Sequence, residues 1–240
     1  MCAYLYFSQN KKIFNKKYAT PYTPKITKEI YFQTDDGNIL QGGFTKNGEN
    51  LPLVLYFSGN ANNVLEFLDK TATKIKNYNF IGFNYPGYAK SQGKPGEKII
   101  LKYADEIYHK YKPNFIIGRS LGSAVASYLA SKHKFKGLLL ITPFDSIEHI
   151  AQIDYPYLPV TWLLKYKFKE VEFIKKSSIP VSIIAIKNDD LIPNECLENL
   201  IKNIHNLKKI FWLENIKHGE IYNYPKIDKI IKQGLDILWN

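Results

Sequence analysis

The chain has 240 residues, is 45% hydrophobic and carries 33 basic against 22 acidic side chains, a formal net charge of +11. That length suits one α/β core, and with no linker-like stretch or internal repeat a single domain over 1–240 is expected. Nucleic acid is excluded as a partner, because Arg119 is the only arginine and the lysines are scattered rather than gathered into a basic stripe; peripheral contact with an anionic membrane surface stays open.

Cys2 and Cys196 are too few for a disulfide framework, and the five histidines lack metal-type spacing, so no metal and no cofactor is expected. The apolar opening, 1–7, is too short to span a bilayer. Cytoplasmic and membrane-associated placements both fit, the latter through an N-terminal anchor ahead of the chain or a lipid on Cys2.

Residues 18–28, with Pro21 and Pro24, read as a surface arm. Strand-like runs at 29–34 and 39–45 flank Asp35-Asp36-Gly37-Asn38, whose Asp-Gly pair suits a hairpin. A buried strand at 51–57 ends in Ser58-Gly59-Asn60-Ala61-Asn62-Asn63, and helical periodicity follows over 64–76. A strand at 79–85 leads through a turn-rich loop, 86–95, to a helix at 97–111. Phe115-Ile116-Ile117 forms the next strand, with a helix after Ser120. A further strand, 137–141, ends at Thr142-Pro143-Phe144-Asp145. From 145 to about 176 the alternation breaks into an aromatic insert in which Pro156 and Pro159 prevent one long helix. It reads either as a cap whose Tyr155, Tyr157 and Trp162 contact substrate or as a helical excursion whose aromatics are core. Strands at 181–186 and 209–213 and a closing amphipathic helix over 222–239 complete the chain. Alternating strands and helices with short joins imply right-handed crossovers: a mostly parallel central sheet with antiparallel first strands and helices on both faces.

Three residues at strand ends carry the candidate chemistry. Gly118-Arg119-Ser120-Leu121-Gly122 places a serine on a tight strand-to-helix corner, a nucleophile elbow, at a helix N-terminus that favours developing negative charge. Asp189 follows the 181–186 strand and His218 the 209–213 strand, so His218 would take the Ser120 proton while Asp189 orients the imidazole. Asp190 competes for the acid role. The N–H groups of Asn60 or Ala61, with that of Leu121, would form an oxyanion hole.

The order Ser120, Asp189, His218, together with Gly59-Asn60-Ala61, Asn84-Tyr85-Pro86-Gly87-Tyr88, Pro143-Phe144-Asp145-Ser146 and Ile192-Pro193, resembles the small α/β-hydrolases related to α/β-hydrolase-domain depalmitoylases and lysophospholipases. The resemblance runs from about Ile30 to the end. It implies an α/β-hydrolase fold, Ser120 as nucleophile, Asp189 as acid, His218 as base, and Asn60 and Leu121 as oxyanion donors. It also implies a serine hydrolase that cleaves esters or thioesters of acyl or lipid-like substrates. The chain departs from the family at Ser58, where histidine is usual, and around His218, flanked here by Lys217, Gly219 and Glu220. A peptidase or amidase of the same fold, and a hydrolase-fold binding protein, remain the alternatives.

Overall fold

The structure is a computed structural model that describes residues 9–239; Cys2 and the apolar run 1–7, with the anchoring readings attached to them, lie outside the described residues. Eight strands form one sheet in the order β1-β2-β4-β3-β5-β6-β7-β8. β1 (Lys28–Gln33), β2 (Ile39–Thr45) and β4 (Asn79–Phe83) pair antiparallel in that sequence. From β4 onward, β3 (Leu53–Phe57), β5 (Phe115–Arg119), β6 (Gly137–Ile141), β7 (Val181–Ile186) and β8 (Leu207–Leu213) run parallel. The expected sheet, antiparallel at its start and parallel thereafter, is the one observed.

Alternation along the buried strands divides the core into two layers. Leu55, Phe57 and Ile116 face α3 (Glu97–Tyr111), α4 (Leu121–Lys132) and α8 (Asn194–Lys202). Val54, Tyr56, Phe115 and Ile117 face α2 (Val64–Lys70) and α9 (Ile227–Asp236). Every parallel connection thus returns through a helix, which leaves the C-terminal strand ends free to carry loops.

Boundaries shift where the backbone dictates. β3 starts after Pro52, which has no N–H for the ladder. The closing helix begins at Ile227 rather than 222, because 218–223 wind as a 3-10 helix and Pro225 separates the two. The sequence reading missed α8, which starts behind Pro193 without a side-chain cap, although Cys196, Leu197, Leu200 and Ile201 make a short apolar stripe at helical spacing. The insert folds as three short helices, α5 (Ile147–Asp154), α6 (Val160–Leu163) and α7 (Glu170–Ile174). Among the described residues no helix is long and apolar enough to cross a membrane.

The arm before β1 is pinned rather than loose. Asp69 accepts the N–H groups of Lys25, Ile26 and Thr27 at 3.0, 2.7 and 2.8 Å, and the Tyr22 hydroxyl at 2.9 Å. Burial works to raise the Asp69 carboxyl, but these donors outweigh it and hold it below the usual carboxylate range. Asp69→Ala is expected to cost about 2 kcal/mol or more at pH 7, since three backbone donors lose a charged acceptor. A group lowered on folding stabilises above its unfolded value of about 3.9 and loses that contribution as pH falls through its folded value. The difference in urea midpoint between wild type and variant should therefore shrink as the titration moves from pH 7 to pH 3; an equal gap at both would sink the assignment.

Candidate active site

β5 ends where the chain must reverse sharply into α4. Ser120 sits on that corner at φ +48°, ψ −121°, a region costing an L residue about 1–3 kcal/mol and persisting where surroundings over-determine it. The flanking glycines follow from contact distance. A Cβ on Gly118 would lie 2.3 Å from the Gly122 carbonyl oxygen, and one on Gly122 would lie 2.3 Å from that of Phe57. The helix can approach the sheet this closely only without those side chains.

His218 opens the 3-10 helix after β8, with its ring buried beside Ser120. Its Nε2 is 3.0 Å from Ser120 Oγ, and its Nδ1 is 2.9 and 3.1 Å from the two Asp189 oxygens. With Nδ1–H donating to the carboxylate, Nε2 is the acceptor for the serine hydroxyl. Burial raises the Asp189 carboxyl, but the hydrogen bond and charge of His218, with the N–H groups of Leu191 and Ile192, bring it below the usual range. Hydroxyl, imidazole and carboxylate in this arrangement allow the ring to take the hydroxyl proton.

Asp190 does not meet the ring. Its Oδ1 accepts the His218 backbone N–H at 2.7 Å, while Arg119 Nη2 donates to the His218 carbonyl at 2.8 Å. The histidine backbone is bracketed by a carboxylate and a guanidinium. Arg119 also donates to the Asn62 side chain and lies over the Tyr222 ring, 5.3 Å from its centre, so one buried cation ties the elbow to both neighbouring loops.

The turn after β3 is held with similar economy. Tyr85 donates to the Ser58 carbonyl at 2.7 Å and Tyr88 to the Asn60 carbonyl at 2.9 Å. Burial keeps both phenols above their usual range, so they stay donors. These bonds give the Asn84–Tyr88 motif a local purpose: it fixes the carbonyls of the turn while Asn60 faces a cavity. Among the described residues the N–H groups of Asn60 and Leu121 have no hydrogen-bond acceptor.

Asn60, Ser120 and Leu121 line a mainly apolar cavity of about 270 Å³, of which Ala61 forms no part. Phe144, Ile147, Ile150, Leu163 and Ile192 make much of its wall, and Gln9, Lys12 and Asp154 add polar atoms. The third side comes from the N-terminal segment. Residues 9–13 are helical (α1), Ile13 lines the cavity, and Asn15 N–H donates to the Asn60 carbonyl at 3.1 Å. Phe14 wedges edge-on against Tyr166 and Phe168 of the insert. Sequence periodicity could not reveal this wall, because five helical residues carry no reliable pattern.

Of the three cap aromatics singled out in the sequence, the structure brings only Tyr155 to the cavity. Tyr157 and Trp162 are 97% and 88% exposed and lie outside it. The reason is the phase of α6. Val160 and Leu163, three residues apart, share the inward face, which turns Trp162 to solvent. The remaining insert aromatics pack against the body and line no part of the cavity: Phe168 is core, Phe173 packs edge-on against Tyr128 of α4, and Tyr166 against Phe14.

The sheet order, the elbow and the loops at the parallel strand ends define the α/β-hydrolase fold. No protein-family model matches the chain. The α/β-hydrolase domain-containing protein 17B of Xenopus tropicalis is 25% identical over 213 residues, covering 84% of this chain and 72% of that protein. A lysophosphatidylserine lipase of Danio rerio is 26% identical over 222 residues, 77% of this chain and 58% of the lipase. Among solved structures, an esterase of Pyrococcus furiosus superposes with a TM-score of 0.68 at 18% identity, covering 92% of this chain and 98% of its own. The chain therefore has the α/β-hydrolase fold and is similar in sequence to α/β-hydrolase domain-containing proteins.

Proposed function

We propose that the chain is a serine hydrolase, a single domain with residues 145–176 as its cap, that cleaves carboxylic esters or thioesters of acyl substrates. One observation supports it most: the Ser120–His218–Asp189 hydrogen-bond chain ends on a serine that opens into an apolar cavity. In this reading Ser120 Oγ attacks the acyl carbonyl as its proton passes to His218 Nε2, and Asp189 stabilises the imidazolium. The N–H groups of Asn60 and Leu121 hold the tetrahedral oxyanion. His218 then protonates the leaving alcohol or thiol, and a water deprotonated by the same ring attacks the acyl-enzyme, releasing acid and restoring Ser120. Ser58, where relatives of this type carry histidine, is compatible with a backbone hole whose carbonyls the tyrosines hold. The esterase and lipase names among the similar proteins favour an ester over an amide.

The mainly apolar lining of the cavity suits the hydrocarbon part of an acyl substrate better than a charged one. Two measurements test the reading. A fluorophosphonate probe should label Ser120, mapped by peptide mass spectrometry, and labelling should drop sharply in His218→Ala. Turnover of nitrophenyl esters should rise with acyl length while each added methylene covers more of the apolar wall, and stop rising once the chain outgrows the cavity. A well-folded protein that neither reacts with the probe nor hydrolyses any ester of the series would favour a hydrolase-fold binding protein instead.

A further inference from the structure

Glu170, on the insert, is fully buried against the elbow helix although the proposed reaction makes no use of it. Its Oε2 is 2.5 Å from Ser123 Oγ and its Oε1 is 2.9 Å from Ser127 Oγ, both on α4, and the Phe144 N–H donates to the carboxyl group. Ser123 Oγ is also 2.6 Å from the carbonyl oxygen of Ser120, the residue on the corner.

A proton count decides the state of this group. Ser123 has one hydroxyl proton and two short oxygen contacts, to Glu170 Oε2 and to the Ser120 carbonyl. A carbonyl can only accept. An ionised Glu170 can also only accept, which would leave one of the two contacts as oxygen against oxygen with no proton between them. A neutral Glu170 removes the conflict: Oε2–H donates to Ser123, Ser123 donates to Ser120, and Oε1 is free to accept from Ser127.

We infer that Glu170 is a positioning residue for the elbow, a neutral acid that through the Ser123 hydroxyl adds a second donor to the Ser120 carbonyl, beside the Ser123 N–H at 2.7 Å, and so helps to fix the Leu121 N–H of the same peptide. The surroundings agree. Burial pushes the Glu170 carboxyl up to about 8; its hydrogen bonds to Ser123, Ser127 and the Phe144 N–H oppose that, and the Asp145 charge adds to it. Asp145 is enclosed by His149 of α5 and by Asn199 and Cys196 of α8. On the insert, Lys167 and Lys169 pair with Glu148, and Glu97 of α3 accepts the N–H groups of Lys167 and Phe168. Among the described residues no cation pairs with Glu170. Ionisation above neutral pH therefore sets Ser123 between two acceptors and loosens the corner.

The catalytic consequence rests on the proposed role of Ser120, and the test separates the two. Glu170→Gln keeps a donor toward Ser123 but cannot titrate. With a nitrophenyl ester, wild-type kcat/KM should fall about tenfold between pH 7 and pH 9 as the neutral fraction declines, while Glu170→Gln stays level and matches wild type within about threefold at pH 7. Ser123→Ala, which removes the relay, should be slower at pH 7 and equally level. Independently of turnover, the infrared carboxylic-acid band of wild type at pH 6 should vanish by pH 9.5 and be missing from Glu170→Gln, and the Leu121 amide resonance should shift over the same range in wild type alone. The same alkaline profile in wild type and Glu170→Gln, or a Leu121 resonance that does not follow the carboxyl band, overturns the inference. If no ester is turned over, the hydrolase reading fails, and the band with the Leu121 shift still decides the role of Glu170.

Discussion

Ser120→Ala is expected to lower kcat/KM for the preferred ester by about 10⁴-fold or more. The variant keeps the cavity, the free N–H groups of Asn60 and Leu121, and His218 held by Asp189, so it loses the attacking atom and little else. Its melting temperature should stay near that of wild type, because the strained corner is imposed by the glycine contacts around it and not by the hydroxyl. The remaining rate would come from water placed by the ring and the N–H pair. A variant within tenfold of wild type would mean that His218 activates water directly and that no acyl-enzyme forms. Trapping the acyl group on Ser120 with a slow substrate separates the two outcomes.

Asp189→Asn is expected to cost about 10⁴-fold in kcat with a small change in KM. An amide in place of the carboxylate can donate its N–H to His218 Nδ1, which favours the wrong tautomer and places a proton on Nε2, where the serine hydroxyl has to be accepted. The adjacent Asp190→Asn should cost only about tenfold. Its oxygen still accepts the His218 N–H, and what it loses is the charge-assisted part of that bond. Equal losses in the two variants would show that holding the histidine backbone matters as much as orienting its ring. The same pair of variants addresses the ambiguity left by two consecutive aspartates, which a sequence presents as interchangeable.

Strand and elbow were readable because their causes are local. Phe115–Ile117 and Leu138–Ile141 are continuous apolar runs, and Val181–Ile186 is interrupted only by Ser182, which fits strands buried on both faces; the spacing of Gly118 and Gly122 states a steric requirement directly. What escaped reading depends on distant chain segments meeting. The buried carboxyl of Glu170 looks in the sequence like one more surface glutamate beside Lys169. Tyr157 and Trp162 look like cavity lining until the phase of a four-residue helix turns the tryptophan outward. The arm at 18–28 has the composition of a loose lead-in, and what ties it down lies far off in sequence: Asp69, more than 40 residues away, with Asn63 on the Thr20 carbonyl and Thr45 on the Thr27 hydroxyl. Arg119 stands in plain view within the elbow motif, yet its bridging of Asn62 and His218 follows from sheet order and not from spacing.

The N-terminal wall has a practical consequence for anyone who trims this chain to its sheet. Starting it at Thr27 would keep every strand together with Ser120, Asp189 and His218, and secondary-structure content would scarcely change. It would nevertheless discard Ile13 from the cavity lining, the Phe14 plug between Tyr166 and Phe168, and the Asn15 latch on Asn60. The cavity would lose one of its walls, so on the proposed reading any discrimination among acyl chains would rest in part on residues that a boundary drawn from the strands would cut away.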